Sequence, residues 1–135
     1  MRPGLELAAR TGDVSGLEAE LTSGASVDSL DSHGQTALML AAHKGHVAAV
    51  EWLLGRGANL NVRAKFGLSA LMLAILAGHE AVARTLVRAG ADLTIRGTGA
   101  PGFTGKSAYD LAEQQGMKEL CREIAAVRMQ TLDEP

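Results

Sequence analysis

Apolar residues in this chain gather in short blocks with the same punctuation at both ends. Ala37-Leu38-Met39-Leu40-Ala41-Ala42 follows Thr36 and runs up to Gly45, and Ala70 to Ala77 follows Ser69 and runs up to Gly78. A hydroxyl placed there can accept a hydrogen bond from the first free backbone N–H groups of a helix. A glycine at the other end can turn the chain through a left-handed conformation that other residues resist. The pattern predicts short helices over Ala37–Lys44 and Ala70–Ala77, each with an apolar inner face. Second helices are predicted over Val47–Gly55 and Glu80–Arg88, ended by Gly57 and Gly90. Ser107 and Gly116 punctuate a further unit. The stretches between units read as extended and turn-like, and would project as fingers.

These blocks are copies of one another. Asp31 to Arg63 aligns without gaps on Ala64 to Arg96, so that Gly34, Leu38, Ala41, Gly45, His46 and Gly57 recur as Gly67, Leu71, Ala74, Gly78, His79 and Gly90, each 33 positions on. Leu40 and Leu73 are among the further shared positions. The register continues backwards to Ala8-Ala9, Gly12 and Gly24-Ala25. It continues forwards to Ser107-Ala108 and Gly116, there at a spacing of 38, which puts five extra residues within Arg96 to Gly102. A period of this length predicts stacked supersecondary units, none able to bury its apolar face alone. Four units are expected, at about 1–30, 31–63, 64–96 and 97–130, with the first and last as caps and a frayed tail at 131–135.

Gly34-Gln35-Thr36-Ala37-Leu38-Met39-Leu40-Ala41-Ala42-His43-Lys44-Gly45-His46 resembles the ankyrin signature, as does Leu53-Leu54-Gly55-Arg56-Gly57-Ala58-Asn59-Leu60-Asn61. The resemblance covers nearly the whole chain. It implies an all-α ankyrin-repeat solenoid of stacked helix–turn–helix units with finger-like loops. Ala37, Ala70 and Ala108 replace the proline that usually follows the capping hydroxyl, and Met39, Met72 and Asp110 replace the usual histidine. Those departures imply less rigid helix starts and fewer hydrogen bonds between repeats.

Composition narrows the picture. Hydrophobic residues make up 47% of the 135 and aromatics only 3%, so the core is built from Ala, Leu, Val and Met, which favours closely stacked helices over packed sheets. A net charge of −2 gives no global pull on nucleic acid, which requires a surplus of Lys and Arg. The single cysteine, Cys121, cannot form an internal disulfide and fits a reducing compartment. Met1-Arg2-Pro3-Gly4 begins no apolar signal core, and the longest apolar run, Leu68 to Ala77, is too short to cross a bilayer. A cytoplasmic monomer without membrane contact is the expectation. Glu6, Arg10, Glu18 and Glu20 at one end, with Lys118, Glu119, Arg122, Glu123 and Arg128 at the other, read as polar caps that stop further stacking.

Candidate chemistry is sparse. Ala100-Pro101-Gly102-Phe103-Thr104-Gly105-Lys106-Ser107 approaches the phosphate-cradling pattern, in which Lys106 would neutralise phosphates and Ser107 bind magnesium. Yet Gly105 to Ala108 falls in the register of Gly67 to Ala70, so the repeat already accounts for it. His43 and His46 stand three apart, but Gly45 separates them and no Cys or carboxylate completes a metal set. Cys121 lies on a helix near only Lys118, which suits an inert thiol. No metal, cofactor or catalytic constellation is expected, and the chain is read as a non-enzyme. Trp52 occupies a second-helix position whose counterparts, Thr85 and Glu123, are polar; packing against the next unit or an outer contact site are both open to it.

The resemblance also implies where a protein partner binds, on the concave side formed by finger tips and first helices. Carried over by position, that surface holds His33, Gln35, His43 and Lys44, then Arg63, Lys65, Phe66, Leu68 and Leu76, then Arg96, Phe103, Lys106 and Gln114. Both phenylalanines of the chain fall in fingers, among cations, and no acid occurs from Leu93 to Tyr109. An aromatic anchor ringed by positive charge suits an acidic, partly apolar protein segment. The binding role would be that of an adaptor or inhibitor. The rival readings are a nucleotide-binding protein using Ala100 to Ser107 and a self-associating structural element.

Overall fold

The computed structural model describes residues 1–133. Eight α-helices are present among them: α1 (Pro3–Thr11), α2 (Val14–Thr22), α3 (Ala37–Lys44), α4 (Val47–Gly55), α5 (Ala70–Leu76), α6 (Glu80–Arg88), α7 (Ala108–Gln114) and α8 (Lys118–Asp133). They form four helix–turn–helix pairs. First helices stack in one row, α1 on α3 on α5 on α7, and second helices in another, α2 on α4 on α6 on α8. The only strand-like pairing among the described residues is an isolated bridge between Gly97 and Thr104.

The helix starts follow from the hydroxyls. Thr36, Ser69 and Ser107 accept from the backbone N–H of Met39, Met72 and Asp110. Asp110 returns the bond to the Ser107 N–H, closing a reciprocal cap. So the replacement of proline by Ala37, Ala70 and Ala108 leaves the caps in place. Met39 and Met72, standing where histidine is usual, are 1% exposed and serve the core. Gly45, Gly78 and Gly116 turn at φ of 80°, 83° and 74°. The helix expected to end at Ala77 ends one residue earlier.

The core is one cluster of alanine, leucine, isoleucine, valine and methionine running the length of the stack, with Ala9, Ala41, Ala74 and Ala112 fully buried. Small residues at those positions let neighbouring first helices approach closely. Polar stitches repeat with the period. Asp28 accepts from the Asn59 N–H at 2.9 Å, and Asn61 accepts from the Asp92 N–H at 2.8 Å. The His46 ring lies against Gly12 and its Nε2 meets the Arg10 carbonyl at 2.8 Å, while the His79 ring lies against Gly45.

Two side-chain expectations are corrected by the stack. Glu119 and Glu123 are not free cap charges: Glu119 stays exposed, but both pair across the last seam with Arg84, and Glu123 also with Arg88 of α6. Trp52 is half-buried beside the preceding unit, not the next: it lines a groove with Leu21, Thr22, Ala25 and Val27, and Arg56 stacks 4.9 Å over its ring. Of the tail expected to fray, 131–133 lie in the last turn of α8, and 134 and 135 fall outside the described residues.

Candidate functional site: a groove under the fingers

Each finger is closed by one backbone hydrogen bond at a repeated place. The Asp31 N–H donates to the Gln35 carbonyl and the Ala64 N–H to the Leu68 carbonyl, both spanning four positions. In the last finger the Gly97 N–H donates to the Lys106 carbonyl across nine, and the five extra residues are the difference. The second finger is pinned by Asp31, whose Oδ1 accepts from the N–H groups of His33 and Gln35. The third finger has Ala64 at that place and cannot copy the arrangement. It forms a 3-10 turn over Lys65–Gly67 with Phe66 at φ 65°, the one non-glycine residue in left-handed backbone among those described. That conformation costs about 1–2 kcal/mol and persists where neighbours enforce it.

The neighbour here is the fourth finger. The Thr98 N–H donates to the Phe66 carbonyl at 2.7 Å, and the Phe103 ring packs on the Phe66 ring, centroids 5.7 Å apart and tilted by 42°. Lys65 Nζ stands 5.0 Å from the centroid of the same Phe66 ring. Gly97 makes the path possible. A Cβ there would lie 2.3 Å from the Phe103 carbonyl oxygen, a distance that no side chain tolerates.

These contacts border an open groove of about 340 Å³ that brings Gln35, His43, Lys65, Phe66, Leu76 and Phe103 together. Leu68, expected on the open face, is 5% exposed and forms the floor instead. Ala64 and Leu73 also line it and were missed, since Leu73 shares its register with Leu40 and reads as a stacking residue. Lys44 follows His43 at the end of α3, and the Lys106 N–H donates to the Phe103 carbonyl; neither lysine lines the groove itself. His33, Arg63 and Gln114 are exposed and outside the groove. Arg96, exposed and outside the groove lining, braces the fourth finger. Its Nη1 donates to the Gly105 carbonyl at 2.7 Å and stands 3.9 Å from Asp110.

The charge around this groove is unbalanced. Among the described residues Lys44, Lys65 and Lys106 have no acid within reach, whereas Arg10, Arg84 and Arg88 are each paired. His43 is held below the usual histidine range by partial burial, and then by the positive charge of Lys44, His79 and Arg10.

Other chemistry fares differently. A phosphate cradle needs free amides, but the N–H groups of Ala100, Phe103, Thr104, Gly105 and Lys106 all donate to carbonyls of the loop itself. The Ser107 N–H and hydroxyl both engage Asp110, so neither is offered to a ligand. Burial pushes the Cys121 thiol up, with help from Glu113 and Glu80, which keeps it in the weakly nucleophilic protonated form. No helix among the described residues is long and apolar enough to cross a membrane.

No curated protein matches the chain. The family model for ankyrin repeats (3 copies) matches residues 5–97, a span that starts within α1, runs through α6 and the third finger, and stops at Gly97 at the base of the enlarged finger. With the period, the caps, the Gly–His contacts between units and this match in agreement, the chain belongs to the ankyrin-repeat family, whose repeats are generally protein–protein interaction modules.

Proposed function

We propose that this protein is a non-catalytic binding module that captures an acidic, partly apolar protein segment along the groove beneath its second, third and fourth fingers. The observation that carries this reading is Lys65 over the Phe66–Phe103 pair, with Lys44 and Lys106 adjoining groove residues His43 and Phe103, all three without an acidic partner. Unpaired cations at the rim of an apolar groove attract carboxylates and steer their approach, while the apolar floor of Leu68, Leu73 and Leu76 supplies the anchor. Acting as a monomer in a reducing compartment, the module masks or tethers whatever it holds, by mass action.

Selection of a displayed random-peptide library on the immobilised protein tests this. Enriched peptides should be acidic with a single apolar anchor, and a variant carrying Lys44→Glu, Lys65→Glu and Lys106→Glu should enrich none of them. Enrichment of neutral or basic peptides, or indifference to the charge reversal, would remove the reading.

A further inference from the structure

The groove has a feature the repeat does not account for: its strongest apolar contact is already made within the chain. Phe66 is the natural stacking platform for an incoming ring, yet Lys65 stands over it and Phe103 packs on it. Several separate contacts hold that arrangement. Gly97 admits the Phe103 carbonyl where any side chain would collide, Thr98 ties its N–H to the Phe66 carbonyl, and Arg96 braces the loop through Gly105. Inside the loop, Thr104 donates both its N–H and its hydroxyl to the Ala100 carbonyl, at 2.9 and 2.8 Å. The five extra residues of the fourth finger therefore deliver one ring to one place.

We propose that Phe103 is the specificity-determining residue of the groove: by occupying the stacking position on Phe66 it admits an aliphatic anchor of the bound segment and turns away an aromatic one. The inference rests on the binding reading above. Aromatic pairs gain from offset or tilted contact with a free ring. With Phe103 in place, a partner's Trp or Phe finds that contact taken and meets the finger instead. A leucine needs only the edges of Phe66, Leu73 and Leu76. Discrimination by shape in an apolar pocket is worth about 10- to 200-fold, and about tenfold in favour of leucine is expected here because the groove is open to solvent on one side.

The test uses paired peptides that share one acidic frame taken from the library and differ only in a Leu or Trp anchor, titrated by fluorescence anisotropy. The wild type should bind the Leu peptide about tenfold more tightly, and Phe103→Ala should reverse the order by exposing the Phe66 ring. Phe103→Leu, which keeps an apolar side chain in the loop, should fall between the two. Far-ultraviolet circular dichroism on each variant separates loss of preference from loss of fold. If both peptides bind the wild type and Phe103→Ala with the same ratio, the specificity assignment is wrong while the binding reading survives. If neither peptide binds the wild type, the binding reading itself has failed and the assignment goes with it.

Discussion

Gly45 and Gly78 hold the same place one unit apart, with nearly the same backbone, φ 80° and 83°, but different surroundings. A Cβ on Gly45 would sit 2.6 Å from His79 Nδ1, 2.8 Å from its Cε1 and 2.9 Å from its Cγ; a Cβ on Gly78 would meet nothing within 4 Å. The fourth unit carries Met117 where the third carries His79, and that is why the space beside Gly78 stays open. Replacing each glycine by alanine thus separates two costs that usually arrive together. Alanine in the left-handed region costs about 1–2 kcal/mol, part of it offset by the stiffer unfolded chain, so Gly78→Ala should lose about 1 kcal/mol. Gly45→Ala carries the same term and must also displace the whole His79 ring, which adds about 1–3 kcal/mol of overpacking.

Urea unfolding followed by circular dichroism reads the difference directly, and it should exceed about 1 kcal/mol. The double variant Gly45→Ala, His79→Ala supplies the control. Removing the ring should make the added methyl nearly as cheap as it is at Gly78, giving a coupling of about 1 kcal/mol or more. Equal losses for the two single variants, or a coupling near zero, would refute the claim that the histidine ring seated on the preceding glycine turn clamps one unit to the next.

His43, held low in the folded chain by partial burial and three positive neighbours, favours folding in its neutral form. Its contribution is present above the unfolded value of about 6.5 and is lost as pH falls from there through the folded value, so the melting temperature should drop as pH falls below about 6.5, and less so in His43→Gln. Ser107→Ala removes the hydroxyl that accepts from the Asp110 N–H, while the Asp110 carboxylate still accepts from the backbone N–H at 107, and the loss of that arm should cost about 1 kcal/mol in the same urea assay. Calorimetry with ATP and magnesium should show no heat for the wild type or for Lys106→Ala, since the loop amides are already bonded to loop carbonyls; a saturable heat abolished by the substitution would revive the phosphate reading.

Much of the fold was legible because the repeat prints its own punctuation. A hydroxyl, an apolar block, a glycine and a Gly–His step recur in register, and each has a local physical role that two copies make unmistakable. The groove was only half legible. Leu40 and Leu73 look identical in the repeat, but Leu40 is 2% exposed and Leu73 lines the groove. Shared register identifies positions that can stack, not which copy remains open at a given point along the stack. The contact between Phe66 and Phe103 depends on the path of five inserted residues, which no periodicity constrains and which Gly97 alone permits. Glu119 and Glu123 read as solvated cap charges because their partners, Arg84 and Arg88, lie 35 positions away and meet them only once α6 and α8 are side by side.

Those exposed ion pairs set the last seam apart from the other two, of which the first has one long pair, Arg10 to the buried Asp31 at 3.9 Å. His46 on Gly12 and His79 on Gly45 hold the first and second seams by ring contact and, at His46, by a hydrogen bond to the Arg10 carbonyl. At the third, Met117 replaces the histidine, and Arg84 instead reaches Glu80, Glu119 and Glu123 while Arg88 reaches Glu123 at 2.6 Å. Exposed pairs of this kind weaken as the screening length shrinks to about 3 Å near 1 M salt, whereas the packing contacts of the half-buried rings do not. Hydrogen exchange should therefore show the amides of Lys118–Asp133 losing protection in concentrated sodium chloride while those of Ala37–Gly55 keep theirs. A uniform response along the stack would mean that the arginines contribute nothing specific to the seam.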